Sequence, residues 1–472
     1  MQKSVLIEIV QALQKKEVRE IQKWLQSPAH NQRDDVQRLF DYLTQKPSKA
    51  DIKDDFLDKE HAWKVVFPGK PYDDAYMRQV MYFLLKVIEE YLAFTEFSNN
   101  KVQFNLYLTR IYRERKLEKA SKQAYRISTE TLENQPLRDG YYLLQRFMLQ
   151  KEYGQWTNVI ANAAPNLQET SDALERLFLA EKINLALTML AHKTVNQAAN
   201  YDQGMLDFVL NYTKERNLLD EPAIGLYYYA FMAVSHQEEE SYFAKLELLI
   251  QEHMPRFMQY ELRTLYIAAL NYCVVKINQG QDQYSRRAFE LYRKGLEKHI
   301  LIENNTIPRY TFGNAVGAAV RIGEFDWAEK FVHDFQGFLN EKERNSMANF
   351  NLARIYYAKG DYNRSQTLLT QFDYDYMFFN IIAKTMLLKI YYEKDEFDAF
   401  ESLLESMRIY LQRKEALDQA RKVAYTNMIS LMKKLLNLNP YSKAQKAKLH
   451  EQVIATNPLM EREWLLKQLE GK

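Results

Sequence analysis

The sequence predicts an all-α protein. Glycine and proline number only 13 and 11 in 472 residues, where average usage of about 7% and 5% would supply roughly 33 and 24. Sheet-rich and loop-rich folds need those residues for their turns. The long stretches between them are rich in Leu, Lys, Gln, Glu and Ala, a composition that favours helix. No segment sustains the period-two alternation of a half-buried strand, while apolar residues recur at three- and four-residue spacing along the chain.

The N-terminal region, residues 1–96, reads as a helical domain. Val5, Ile7, Ile9, Val10 and Leu13 mark a first helix. Glu17–Gln26 forms a second, with Ile21, Trp24 and Leu25 on one face and Ser27-Pro28 as its stop. Val36, Leu39, Phe40 and Leu43 give a third. Trp63, Val65, Val66 and Phe67 lead into Pro68-Gly69-Lys70-Pro71, the clearest break in the chain. Gly69-Lys70 is turn chemistry, because a phosphate loop needs a second glycine five residues upstream and Ser or Thr after the lysine. A long amphipathic helix follows, carrying Met77, Val80, Met81, Leu84, Leu85, Ile88 and Leu92.

Residues 97–270 read as a degenerate array of helical hairpins. Leu106–Tyr112 precedes Leu117–Ile127, and Tyr141–Leu149 precedes Trp156–Ala161. Leu174–Ala191 is followed by Met205–Tyr212, and Ile224–Val234 by Tyr242–Ile250.

Between residues 284 and 410 the pattern sharpens. In residues 351–372, Leu352, Ala353 and Tyr356 occupy packing positions of a first helix, and Gly360 stands at the turn. Tyr362, Ser365 and Leu369 follow as aromatic, small and large positions of a second helix. Small residues at 353 and 365 let the two helices approach closely, and the larger ones fill the space around that contact. Gly323, Phe325, Ala328 and Val332 repeat the order one unit earlier; Asp395, Phe397, Phe400 and Leu404 repeat it one unit later. Ala288, Tyr292 and Gly295 suit a second helix of a further unit, after a longer turn at Gly280–Tyr284. This pattern resembles the tetratricopeptide repeat, a helix–turn–helix unit of about 34 residues. It departs from that family in its longer spacings, in Phe400 at a small-residue site, and in lacking the Trp and Leu-Gly of the first helix.

The resemblance implies an α-solenoid of stacked helical hairpins over residues 271–440, closed by capping helices in 441–472 that present a polar outer face. It also implies ligand-facing positions along the first helices, here Tyr310, Arg321, Phe350, Arg354, Tyr357, Lys389 and Tyr392. Such a strip of Arg, Lys and aromatic residues would suit an extended acidic or aromatic peptide. The Lys/Asn carboxylate-clamp set of chaperone-binding members is absent.

Composition narrows the function classes. Lys and Arg total 64 against 62 Asp and Glu, so no global field drives the chain onto nucleic acid or an anionic membrane. One local exception is residues 101–126, with eight basic residues against Glu114 and Glu118. Arg115, Lys119, Lys122 and Arg126 would share one face if a helix ran through them, making this the candidate nucleic-acid contact. Cys273 is the single cysteine, which excludes intramolecular disulfides; its apolar neighbours point to a buried hydrophobe. The eight histidines form no helical metal pair, and no metal, cofactor or catalytic motif is present. The N-terminus lacks a signal-peptide core, and no apolar run approaches the ~20 residues of a membrane span. The expectation is a cytoplasmic, non-catalytic interaction scaffold with a protein or peptide partner. A nucleic-acid-binding protein and a small-ligand-responsive regulator are the alternatives.

Overall fold

The computed structural model describes residues 1–45, 56–159, 164–195, 199–370, 377–413, 419–439 and 441–470. Among them are 23 α-helices packed in neighbouring pairs, and no β-strand. None of these helices is long and apolar enough to cross a membrane. Contacts divide the chain into two compact units, Met1–Lys182 and Ile183–Lys472.

In the first unit, α1 (Val5–Ala12), α2 (Lys15–Gln26), α3 (Asp34–Thr44), α4 (Lys59–Val66) and α5 (Asp74–Asn99) enclose one apolar core. Ile21, Val36, Leu39, Phe40, Val66, Met77, Val80 and Leu84 are fully buried there, the faces that three- and four-residue spacing marks. The Pro68–Pro71 break is a tight turn with Gly69 at φ +77°. Trp63 pins it, its indole Nε1 donating to the Lys70 carbonyl at 3.0 Å. Helix α5 runs to Asn99, so the boundary expected near 96 falls inside its last turn.

Helices α6 (Lys101–Glu114) and α7 (Glu118–Asn134) form a hairpin, against which α8 (Gly140–Val159) packs. The pair expected over 141–161 is instead this one helix; Ala161 lies outside the described residues. Gly154 does not break it, because a lone interior glycine costs only about 1 kcal/mol relative to alanine. Helix α9 (Leu167–Val195) then crosses from the first unit into the second.

The second unit continues with α10 (Leu206–Glu215), α11 (Pro222–Ser235), α12 (Glu240–His253), α13 (Gln259–Asn278), α14 (Gln283–Glu297), α15 (Arg309–Arg321) and α16 (Phe325–Phe335). After them come α17 (Arg344–Ala358), α18 (Tyr362–Thr370), α19 (Met377–Glu393), α20 (Phe397–Arg413), α21 (Gln419–Leu436), α22 (Lys443–Ala455) and α23 (Arg462–Glu470). Consecutive helices pair, and first helices of successive hairpins also touch: α11 with α13, α15 with α17, and α17 with α19. The boundary expected near 270 falls within α13, and residue 440 lies outside the described residues.

Five hairpins share one local design. Each first helix ends on a residue in the left-handed region: Lys116 (φ 58°), Gly280 (83°), Gly323 (80°), Gly360 (80°) and Asp395 (58°). The next residue's N–H turns back to a carbonyl five residues earlier, as in Asp361 to Tyr356 at 2.9 Å and Leu117 to Tyr112 at 2.8 Å. This closes the helix C-terminus and satisfies its last carbonyls. Seven residues before the left-handed position stand Thr109, Cys273, Val316, Ala353 and Leu388, all fully buried. Five residues after it stand Ser121, Ser285, Ala328, Ser365 and Phe400, also buried. In two of the three hairpins with serine there, its hydroxyl reaches the first helix: Ser365 Oγ donates to the Ala353 carbonyl at 2.9 Å, and Ser121 Oγ to the Thr109 carbonyl at 3.1 Å, whereas Ser285 Oγ finds no partner among the described residues.

The α6–α7 hairpin was legible only as a degenerate pair, because a lysine holds its left-handed position. Cys273 fills the Ala353 position of the α13–α14 hairpin. Burial, then the nearby Glu247 carboxylate, pushes its thiol up to about 12.

Two outcomes follow from this design. A Cβ at residue 360 would meet no atom within 4 Å, so Gly360→Ala should destabilise through φ alone, by about 1 kcal/mol. Asp395→Gly should gain up to about 1 kcal/mol; urea unfolding of both variants checks this. Burial holds the Cys273 thiol protonated and out of reach at pH 8. Alkylation of the native protein should therefore be negligible and should become rapid on unfolding.

Candidate functional site

The left-handed residue also orders the outward-facing positions of each first helix. Six residues before it stand Arg354 on α17 and Lys389 on α19; three before it stand Tyr357 and Tyr392. Residues three apart lie on one helix face, so each helix carries a cation beside a tyrosine.

The structure links the expected residues into two groups. In the first, the exposed Tyr310 ring (54% accessible) stacks on Phe379 with centroids 6.0 Å apart. Phe350 is buried and meets the same Phe379 edge-on at 5.3 Å. The Arg354 guanidinium lies 5.8 Å from the Phe350 ring centre. Arg354 Nη1 donates to the Gly313 carbonyl at 2.8 Å and to Asn351 Oδ1 at 3.1 Å. A Cβ at Gly317 would stand 2.6 Å from Nη2. The guanidinium thus lies flat on α15, in the space that two glycines one turn apart leave open.

In the second group, Lys389 sits 4.8 Å above the Tyr357 ring and donates to Glu461 Oε2 at 2.9 Å. Tyr392 is buried, with the Trp464 indole edge-on at 5.5 Å. Trp464 Nε1 and Gln468 Nε2 both donate to Glu393 Oε1, at 3.0 and 2.7 Å. The C-terminal helix α23 therefore rests on the strip that α19 contributes. Its Trp464, Leu465 and Leu469 belong to the same apolar cluster as Ile381, Leu388 and Tyr392. Arg321 stands apart from both groups, paired with Asp282 at 2.8 Å.

Phe379, the two glycines, Glu461 and Trp464 escaped sequence reasoning. The signal for the last two was present, as an acidic–aromatic stretch after Pro458. Nothing local ties residues 461–468 to α19, which is 70 residues upstream.

The electrostatics of the two cations differ. Lys389 has a carboxylate at hydrogen-bonding distance. Arg354 has none among the described residues, and burial lowers its guanidinium to about 10. A cation withdrawn from water and matched only by a carbonyl and an amide carries a net desolvation penalty. Burial, with Tyr362 and then the Glu461 and Glu393 carboxylates adding to it, pushes the Tyr357 hydroxyl up, so it stays protonated. Chemically, the strip offers cations, aromatic faces and neutral hydroxyls. Among the described residues no group of three His, Cys, Asp or Glu side chains is placed to hold a metal ion.

The basic stripe is divided by the hairpin turn. Arg115 lies in the turn, while Lys119, Lys122 and Arg126 are exposed on α7. The face expected to run from 115 to 126 is broken because Lys116 reverses the chain. Arg113 is paired with Glu152 at 2.7 Å, Arg110 with Glu114 and Arg126 with Glu130, both at 3.6 Å. Tyr125 stacks on Tyr153 at 5.0 Å. A separate cavity of about 210 Å³ opens among α9, α11 and α13, with Leu187, Ile267 and Val275 on its walls and the Asn271 amide among them.

Comparison with known proteins returns no match: no family model, no curated protein and no solved structure aligns with the chain. The site is therefore argued from its own chemistry.

If the Arg354 charge is a liability to the free protein, Arg354→Met should raise stability by about 1 kcal/mol, since the apolar stem is kept and the unpaired charge is removed. A lower melting temperature would identify the residue as a structural strut.

Proposed function

We propose that the chain is a non-catalytic interaction protein, an α-solenoid of tetratricopeptide-like hairpins whose concave face binds a peptide or partner helix. One observation carries this reading. Arg354 presents a desolvated cation without a carboxylate among the described residues, on a strip whose next aromatic, Tyr310, is exposed. A half-buried charge of this kind is unfavourable in isolation and becomes favourable once an anionic group completes it. The exposed Tyr310 ring, linked to Arg354 through Phe379 and Phe350, can supply apolar contact area. The hairpins of common design support the repeat architecture, since the same turn and buried pair recur at 37- and 35-residue spacing through Gly323, Gly360 and Asp395, the last two also carrying the cation.

The test is a pull-down from native lysate with the full chain and an Arg354→Glu, Tyr310→Ala double variant. Proteins bound by the natural chain should be lost from the variant, because charge reversal places two anions together. Retention of every bound protein by a folded variant would remove the concave strip as the binding face.

A further inference from the structure

The chain carries on α23 a sample of what its own strip accepts. Lys389 and Arg354 hold the same position, six residues before the left-handed turn of consecutive hairpins. At Lys389 that position is occupied. Glu461, the residue that opens α23, brings its carboxylate to 2.9 Å from the ammonium. Three residues later Trp464 meets Tyr392, itself three residues after Lys389. Gln468, one further turn along α23, completes the contact at Glu393. The occupant is thus an amphipathic helix presenting an acidic residue at its start and an aromatic ring one turn on.

At Arg354 the equivalent position has a cation and, among the described residues, no matching anion. Its Nη1 is spent on Gly313 and Asn351, while part of the residue still reaches solvent. Tyr357 stands where Tyr392 stands, and the exposed Tyr310 flanks the other side. Gly313 and Gly317 leave that flank of α15 without side chains. We infer that the face of α15 and α17 around Arg354 is a docking site for a partner's amphipathic helix. That helix would bring a carboxylate to Arg354 and an aromatic side chain to the exposed Tyr310, in the manner of α23 on α19. Charge complementarity and continuity with the α23–α19 contact select this occupant. The inference rests on the partner-binding reading and specifies the class of partner.

The probe is a fluorescein-labelled peptide of residues 459–470, titrated against the full-length chain by fluorescence anisotropy. Saturable binding is expected, weakened about tenfold or more by Arg354→Gln and by Tyr310→Ala. Replacing Glu461 and Trp464 in the peptide by Gln and Ala should weaken it similarly, whereas Lys389→Gln in the protein should change it little. Tyr310 is exposed, so its variant reports binding even if the arginine variant folds poorly. No saturable binding would overturn the inference. So would binding that falls with Lys389→Gln and ignores Arg354→Gln, since the peptide would then be exchanging with α23. A pull-down that stays sensitive to Arg354 while the peptide fails would sink the helical partner class alone. Insensitivity in the pull-down would sink the binding face itself.

Discussion

The close contact between the two helices of each hairpin is the constraint on which the rest of this structure depends. It is made seven residues before and five residues after a single left-handed residue. Buried residues stand there in each hairpin, among them Thr109 and Ser121, Cys273 and Ser285, and Ala353 and Ser365. Small residues bring the backbones close enough for a serine hydroxyl to reach the opposite carbonyl, as at Ser365 and Ser121. That contact sets the rotation of the first helix about its axis, and so decides which side chains face outward. Arg354 and Lys389 share a position because each lies six residues before the left-handed turn residue of its hairpin, although the α19–α20 pair is Leu388 and Phe400 rather than two small residues.

The outward strip shows how one position can hold two electrostatic states. Lys389 is matched by Glu461 and is part of a finished interior. Arg354 is flattened onto the glycines of α15, half-buried, and matched among the described residues by neutral acceptors only. A fold selected for stability alone would place a hydrophobe there, because well-packed apolar side chains match or exceed buried charges.

Helix α23 serves two purposes at once. Its Trp464, Leu465 and Leu469 close the apolar cluster shared by α19, α20 and α21, covering a face that would otherwise expose large hydrophobes. The same helix neutralises Lys389 and satisfies Glu393, while Glu463, Lys467 and Glu470 stay on its exposed side.

The sequence by itself determined the helical class, the hairpin units turning at Gly323, Gly360 and Asp395, and the identity of most strip residues. These are local properties: helical periodicity, a positive-φ turn residue and a fixed spacing each act within one or two turns of chain. It also determined that one cysteine sits in an apolar helix. Only the tertiary structure decided that α8 is one helix rather than two, because a lone glycine bends propensity without overruling packing. Only packing, too, put the α6–α7 hairpin in the common design, since its lysine at the left-handed position hides the signal. The division of the basic stripe at Arg115, the pairing of Arg321 with Asp282 and the return of Glu461 and Trp464 to α19 were likewise invisible. Each depends on residues distant in sequence meeting in space, and no local pattern encodes which of many carboxylates will reach a given cation.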